Sequence, residues 1–377
     1  MKKRTISLYL IMILFVNSLP VQATPIEDSA MSSVLMDVQT GRVLYGKNEE
    51  KEMKIASLTK IMTAIVAIEK GDLRQIVKIS PNAVGVEGSS IYLKQGDQVS
   101  LETLLYGLML RSGNDAATAI AEFIGGSVEG FVLLMNEKAQ ILGLEHTNFE
   151  NPSGLDSPKH YSSAKDLATL TRYALQNQIF RQIVSTEVKD VSFPGEEWKR
   201  RFYNKNKMLK LYPYADGVKT GFTKQARRTL VSSATKDGRQ LVAVTLNDGD
   251  DWQDHINMFE YGFNQFEQET LLLKGQVVQK TEQKNRQGQS LYLSTSQEFH
   301  FPLTKEEKEM ELMVEPVITM PLERIKGEKE TVGVARIKLK DKVLGTVPLV
   351  GEYRKEKSIV SEWKKVLDYL VGQGKSS

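Results

Sequence analysis

The order in which the hydrophobic periodicity changes restricts the fold of this 377-residue chain more than any other feature. Residues 30–48 alternate as the two strands of a β-hairpin do. Helical spacing of apolar residues then dominates to about residue 177. β-Rich runs return at 229–234 and 240–246 around a hairpin turn, and a last helix is predicted over about 251–266. Strands at both ends of a helical middle predict an α+β fold, in which helices flank an antiparallel sheet.

The residues beyond about 270 predict a second, smaller domain. They are charged, lack helical apolar stripes and alternate as strands do, which is typical of an all-β unit. The tail returns to a helical pattern, with apolar residues from Ile359 to Val371 on one face. This pattern suits a helix in a membrane interface and a helix packed on protein equally well. We therefore expect a main domain at 24–270, an all-β domain at 271–355 and an amphipathic helix at 356–377.

The first 23 residues have the pattern of a signal peptide. A short basic segment precedes an apolar run, and Val21-Gln22-Ala23 resembles a small-residue cleavage site. An uncleaved N-terminal anchor is the alternative, because the uncharged run is nearly long enough to span a membrane. In either case we expect an exported protein that works outside the cytoplasmic membrane.

The composition excludes several kinds of site. The chain has no cysteine, which excludes disulfides, cysteine nucleophiles and thiolate metal sites. Its four histidines are scattered without metal-ligand spacing, so we expect neither a metal nor a cofactor. Residues 1–23 hold three of the 50 basic residues and none of the 47 acidic ones, so the rest of the chain is close to neutral. The formal charge of +3 is therefore no argument for nucleic-acid binding.

A candidate catalytic pair, Ser57-x-x-Lys60, lies where the first helical pattern begins. Residues three apart share one face of a helix, so the two side chains would stand together at its first turn. A serine hydroxyl becomes a good nucleophile when a base takes its proton, and a lysine is such a base only when burial or a nearby cation keeps it neutral. The pattern alone is weak, because a serine here also suits a helix N-cap. It occurs four times, beginning at Ser57, Ser162, Ser233 and Ser361.

Two further motifs give this pair a context. Ser112-Gly113-Asn114 falls in the turn between two predicted helices. Lys219-Thr220-Gly221 directly precedes a β-rich run, as a motif on an edge strand would. In this order the three motifs resemble the signature of the penicillin-recognising serine enzymes. Each motif is weak by itself, and the three contexts together make the match specific.

The resemblance spans about residues 28–355 and is closest to the low-molecular-mass D-alanyl-D-alanine carboxypeptidases. It is carried by the three motifs and by the stretches 41–45, 87–93, 108–117 and 216–221. Residues 211–214 and 226–232 look closest to the sporulation branch, which trims spore-cortex peptidoglycan. The resemblance implies a β-lactamase/transpeptidase-like antiparallel sheet flanked by helices, followed by a small all-β C-terminal domain.

The family resemblance also implies a chemistry for these residues. The substrate would be a peptidoglycan stem peptide ending in D-Ala-D-Ala, and Ser57 would attack the carbonyl between the two alanines. Lys60 would take the serine proton, and the Lys219 ammonium would help to keep Lys60 neutral by like-charge repulsion. Ser112 would pass a proton to the leaving amine, and Asn114 would hold the substrate amide.

The oxyanion and carboxylate sites follow from the same resemblance. Backbone N–H groups of Ser57 and Phe222 would bind the oxyanion. Lys219 and Thr220, with Gly221 beside them, would bind the free carboxylate of the substrate. A guanidinium suits that role too, with Arg228 or Arg227 as the candidate. Water would then hydrolyse the acyl-enzyme, and β-lactams, which resemble the substrate, would be inhibitors.

Two other functions share parts of this pattern. A β-lactamase needs an efficient deacylating base, typically a glutamate on a loop with a nearby asparagine, and Glu145 and Asn148 do not have that spacing. The long β-rich C-terminal region also argues against a β-lactamase. A non-catalytic wall-binding protein that kept the fold would not be expected to preserve all three motifs. A turnover assay on a D-Ala-D-Ala peptide distinguishes both from a carboxypeptidase.

Overall fold

The computed structural model describes residues 26–193, 195–325 and 329–354. Up to residue 266 it contains a central antiparallel sheet, two small hairpins and most of the helices. The strands are β1 (Ser32–Asp37), β2 (Val43–Lys47), β3 (Ile76–Lys78), β4 (Gln98–Ser100), β5 (Val188–Ser192), β6 (Lys199–Tyr203), β7 (Ala215–Thr223), β8 (Arg227–Lys236) and β9 (Arg239–Leu246). The helices are α1 (Lys60–Lys70), α2 (Leu101–Leu110), α3 (Asn114–Gly125), α4 (Val128–Ile141), α5 (Ala164–Ala174), α6 (Gln178–Ser185), α7 (Met208–Leu211) and α8 (Asp251–Gln265).

The central sheet has the strand order β2-β1-β9-β8-β7, with every neighbouring pair antiparallel. This confirms the predicted N-terminal hairpin, the β8–β9 hairpin and the α+β fold. Helices cover both faces of the sheet. Val34 and Met36 of β1 face the cluster formed with α1 to α6, whereas Leu35 between them faces α8. Since successive strand residues point to opposite faces, burial on both sides explains why β1 is apolar throughout its centre.

The helical middle is built around α1, which is buried from Lys60 to Ile68. The predicted N-cap of α2 is confirmed, because the Ser100 side chain accepts a hydrogen bond from the Thr103 amide. The helix predicted to run to about 177 ends at Ala174. A separate helix, α6, begins after Asn177, whose side chain accepts from two amides of its first turn.

The C-terminal part is an all-β unit with one short helix, as predicted. Its elements are β10 (Glu267–Leu272), β11 (Val277–Lys284), β12 (Ser290–Thr295), β13 (Phe299–Leu303), α9 (Lys305–Lys308), β14 (Leu312–Ile318), β15 (Glu330–Leu339) and β16 (Lys342–Arg354). β10 pairs with β13, and the other five strands form a sheet in the order β11-β12-β16-β15-β14. This sheet has an apolar core of its own, which includes Leu293, Ile337 and Leu349.

The predicted signal peptide at 1–23 and the predicted amphipathic helix at 356–377 lie outside the described residues. In the part of the chain that the structure describes, no single helix has the length and hydropathy needed to cross a membrane. Among the described helices, only the pair α3 and α4 reaches this length and hydropathy when taken together, and the two helices are bent by 84° at their junction.

Candidate active site

Ser57 lies in a 3₁₀ turn, Ala56–Thr59, that leads directly into α1 at Lys60. The sequence predicts an α-helical first turn here, and the tighter turn brings the same two side chains together. Ala56 has a φ of 49°, which is a costly conformation for a residue with a Cβ and is typical of functional sites. Gly221 of β7 packs so closely that a Cβ there would lie 3.0 Å from the Ser57 amide nitrogen. The backbone of Ser57 is thus held between the start of α1 and strand β7.

The amino group of Lys60 is fully buried beside Ser57. Its Nζ lies 3.1 Å from Ser57 Oγ, 2.7 Å from Asn114 Oδ1 and 2.5 Å from the Ser153 carbonyl oxygen. Burial lowers the pKa of Lys60 well below its ordinary value, and the charge of Lys219 lowers it further. A neutral amine has two hydrogens, which the oxygens of Asn114 and Ser153 can accept. Its lone pair then faces the Ser57 hydroxyl, which is the geometry of a general base.

Ser112 and Asn114 lie at the turn from α2 into α3, where the sequence predicts them. Ser112 has a φ of 63° and is almost fully buried at the edge of the cleft described below. The side-chain amide of Asn114 is held at both ends, because Oδ1 accepts from Lys60 and Nδ2 donates to the Glu87 carbonyl at 2.5 Å. Gly88, which follows Glu87, also packs tightly on this amide, because a Cβ at Gly88 would lie 2.6 Å from Asn114 Nδ2.

The third motif lies on β7, which is an edge strand of the central sheet, as predicted. Lys219 is 2% exposed, and its Nζ donates to the Thr220 carbonyl at 2.8 Å. Burial lowers the pKa of Lys219 to about 7, with a further contribution from the charge of Lys205. A carboxylate bound here would restore the charge of Lys219, because an opposite charge stabilises the protonated amine.

An open cleft of about 460 Å³ brings residues of all three motifs to one surface. The lining residues are Ser57, Ser89, Ser112, Lys205, Lys207, Thr220, Gly221, Phe222, Arg228, Thr229, Asp251 and Trp252. Lys60, Asn114 and Lys219 are buried behind this lining. The structure therefore assembles the predicted site residues around a cleft whose side-chain charges are mainly positive.

Comparison with known proteins identifies the family. Residues 20–250, more than half of the chain, match the family model described as D-alanyl-D-alanine carboxypeptidase. The chain belongs to this family. The carboxypeptidase also matches, over residues 266–354, the model described as the C-terminal domain of penicillin-binding protein 5.

Individual relatives agree with the family match. The D-alanyl-D-alanine carboxypeptidase DacF of Bacillus subtilis is 34% identical over 336 residues, which cover 86% of this chain and 85% of the relative. Penicillin-binding protein 5 of Haemophilus influenzae superimposes with a TM-score of 0.75 at 28% identity, over 88% of this chain and 99% of that one. Penicillin-binding protein 6B of Escherichia coli gives 0.67 at 30% identity, over 88% and 98%. The resemblance read from the sequence and the predicted enzyme class are confirmed.

Arg228, the predicted carboxylate ligand, lines the cleft of the carboxypeptidase but already has a partner. Its Nη2 and Nε donate to the two carboxylate oxygens of Asp251 at the start of α8. The side chain is still 43% exposed, and its guanidinium lies 5.9 Å from the ring centroid of Trp252. Arg227, the other candidate, is exposed and is not among the described residues that line the cleft. Of the two arginines, only Arg228 faces the cleft, and Asp251 offsets its charge.

Several cleft residues of the carboxypeptidase are missed by sequence reasoning. Lys205 donates to Ser89 Oγ at 2.9 Å and contributes to the pKa shifts of both buried lysines. Asp251 and Trp252 reach the cleft from the first turn of α8. Spacing along the chain contains no signal for these residues, because tertiary packing brings them to the motifs.

The two other Ser-x-x-Lys patterns that fall among the described residues do not form such a pair. Ser162 is buried and its hydroxyl bonds to Thr147, while Lys165 pairs with Glu50. Ser233 donates to Asp216. The pattern at Ser361 lies outside the described residues.

One histidine supports the Ser57 turn. His160 Nδ1 accepts from the Glu150 amide, so its proton is on Nε2, which lies 2.7 Å from Thr59 Oγ1. Thr59 in turn donates to the Ala56 carbonyl at 2.9 Å. Burial lowers the pKa of His160 to about 4, and the charge of Lys54 acts in the same direction. This histidine is structural and stays neutral at physiological pH.

Proposed function

We propose that this carboxypeptidase removes the terminal D-alanine from peptidoglycan stem pentapeptides through an acyl-enzyme on Ser57. The observation that carries the proposal is the 3.1 Å approach of the buried Lys60 amine to Ser57 Oγ. The neutral amine accepts the hydroxyl proton while Oγ attacks the carbonyl between the two alanines. Backbone N–H groups of Ser57 and Phe222 bind the oxyanion that forms, next to the close contact between Gly221 and the Ser57 turn.

Collapse of this intermediate breaks the bond to the terminal alanine. Ser112 at the cleft edge relays the proton that Lys60 holds to the departing amine, which leaves Lys60 neutral again. Lys219 and Thr220 bind the free carboxylate, while Asn114 offers the substrate the Nδ2 hydrogen that is not bound to the Glu87 carbonyl. Lys205 adds positive charge at the cleft, whereas the charge of Arg228 is offset by Asp251. These positive charges favour an anionic chain end over an amidated one.

Deacylation then requires a water and a base. Among the described residues that line the cleft, Asp251 is the only carboxylate, and it is bound to Arg228. Glu145 is exposed, and Asn148 Nδ2 donates to the Lys159 carbonyl. Lys60 is therefore the base for the water as well. A β-lactam acylates the same serine, but its leaving amine stays tethered and obstructs water, so penicillin inhibits the enzyme.

The place of action rests on sequence features. The signal pattern at 1–23 supports export, and the stretches 211–214 and 226–232 support spore-cortex peptidoglycan as the substrate. The pattern at 356–377 supports attachment to the outer face of the membrane. In this assignment the catalytic domain covers 24–270 and the all-β domain covers 271–355. Truncation after Tyr353 should release a soluble, active enzyme, whereas a full-length mature protein found only in the soluble fraction would contradict the anchor.

Release of D-alanine from a soluble pentapeptide ending in D-Ala-D-Ala tests the proposed activity. The parent should release one equivalent per peptide, and Ser57→Ala should release none while keeping the parent's melting temperature. Ser162 begins another Ser-x-x-Lys pattern, so Ser162→Ala is the matched control and should retain activity. Activity that survives in Ser57→Ala, or a parent that binds the peptide without cleaving it, would contradict the proposal.

A further inference from the structure

Tyr92, in the loop that follows β3, has a strained backbone and an unsupported side chain. Its φ is 61°, a conformation in which a bulky residue is an outlier. The residue is 78% exposed, and within the described part of the chain no aromatic ring or cation stacks on its ring. The fold gains little from this tyrosine, which suggests that the ring is presented for binding.

The strained conformation is fixed from several sides. The Tyr92 amide donates to Ser90 Oγ at 2.8 Å, and the amides of the residues before and after it donate to the buried Asp115 carboxylate. Arg200 Nη1 donates to the Ile91 carbonyl at 2.6 Å and to the Tyr92 carbonyl at 3.3 Å. Arg200 is itself held by a two-pronged ion pair with Glu196 and by the Phe193 ring, 3.8 Å away. The backbone of Tyr92 is thus already ordered, so binding of a ligand to the exposed ring costs little backbone entropy.

The same loop forms part of the catalytic site. The Ser89 carbonyl accepts from the Asn114 amide at 2.7 Å, and Ser89 Oγ lines the cleft beside Lys205. Tyr92 follows Ser89 by three residues and so lies within about 10 Å of it. It is not one of the described residues that line the cleft itself. Tyr92 therefore lies near the catalytic site but outside the cleft that takes the peptide terminus.

We propose that Tyr92 is a stacking platform for the glycan portion of the peptidoglycan substrate, an inference that rests on the proposed function. The acylated residue is the fourth of the stem peptide, so the sugar-linked end lies up to about 14 Å away. That span reaches the cleft surroundings where Tyr92 is presented. The apolar C–H face of a sugar ring packs well on an exposed aromatic face. The polar, cationic cleft selects the peptide terminus, and Tyr92 adds affinity for peptides that are still attached to glycan.

The test compares two substrates that differ only in the sugar: a free pentapeptide and the same pentapeptide on its muramyl disaccharide. Tyr92→Ala should raise KM for the glycan-linked substrate about five- to tenfold more than KM for the free peptide. Tyr92→Phe should behave as the parent. Tyr214→Ala is the control. This partly exposed tyrosine lies just before β7, whereas Gly221 lies near the other end of the same strand. The substitution should leave the ratio of the two KM values unchanged.

A glycine variant distinguishes stacking from a structural role. Tyr92→Gly suits a φ of 61° and should melt no lower than the parent, yet it should lose the preference for the glycan-linked substrate as Tyr92→Ala does. Equal losses on both substrates, or no loss on either, would overturn the proposal. Cleavage of the free pentapeptide by the parent is measured in the same experiment, so a failure of the proposed activity would be seen separately.

Discussion

Replacing Lys219 with methionine should both stabilise the folded protein and inactivate the enzyme. Lys219 is fully buried, donates one hydrogen bond to the Thr220 carbonyl, and has a pKa of about 7. Methionine has a similar length and no charge to desolvate. The variant therefore keeps the packing and removes the cation that we assign to the substrate carboxylate.

The size of the stabilisation follows from the pKa. A shift from 10.5 to about 7 corresponds to about 5 kcal/mol of unfavourable free energy for the buried charged form. The lost hydrogen bond offsets about 1 kcal/mol of this gain. A net gain of about 2–4 kcal/mol near pH 7 should raise the melting temperature on the order of 10 °C. Loss of the carboxylate partner should lower kcat/KM by roughly 100-fold or more.

The stabilisation should shrink as the pH rises. Below pH 7 Lys219 is protonated in both states, so the parent bears the full cost of the buried charge. Between pH 7 and 10.5 the unfolded chain keeps this proton and the folded protein loses it, so the parent becomes more stable with increasing pH. The difference in melting temperature between Lys219→Met and the parent should thus be largest at or below pH 7 and small near pH 10.

Thermal unfolding at pH 6, 8 and 10 provides the assay, together with D-alanine release. Lys224→Met replaces an exposed lysine just beyond the end of β7 and is the control, which should change stability by less than about 0.5 kcal/mol. Without Lys219 the pKa of Lys60 should rise, which moves the acid limb of the kcat/KM profile to higher pH. A destabilised Lys219→Met variant that keeps its activity would refute the reasoning.

Two further predictions concern the same site. Lys60→Ala should fold normally yet lose acylation almost as completely as Ser57→Ala, because the effects of removing members of one catalytic unit on the rate are not additive. Release of D-alanine at the parent rate would end the assignment of Lys60 as base. Amidating the C-terminus of the substrate should remove most of the activity, because the buried Lys219 then has no anionic partner; equal rates on the acid and amide substrates would place specificity elsewhere.

The sequence predicts the parts of the site that depend on local spacing. A three-residue separation brings Ser57 and Lys60 together in the 3₁₀ turn as it would in an α-helix. The turn before α3 is predicted from helical periodicity on either side of the Ser112 motif, and the edge-strand position of Lys219 from the β-rich run that follows its motif. Here local propensity and the tertiary fold agree.

The features that the sequence does not reveal depend on distant contacts or on strained backbone. The pairing of Arg228 with Asp251 joins β8 to α8, and no spacing rule connects the two residues. The positive φ values of Ala56, Tyr92 and Ser112 occur at residue types that rarely adopt them. The separate helix α6 is missed because the apolar pattern of α5 continues through Asn177, where the helix cap is.

Penicillin labelling tests the choice of Ser57 as nucleophile most directly. After brief exposure to benzylpenicillin, intact-mass analysis should show one added drug mass, and peptide mapping should place it on the fragment that contains Ser57. Ser57→Ala should show no adduct. The adduct should persist, because the tethered leaving group obstructs water and no free carboxylate among the described cleft residues can activate it. An adduct on Ser112, Ser162, Ser233 or Ser361, or rapid release of hydrolysed drug, would contradict the account.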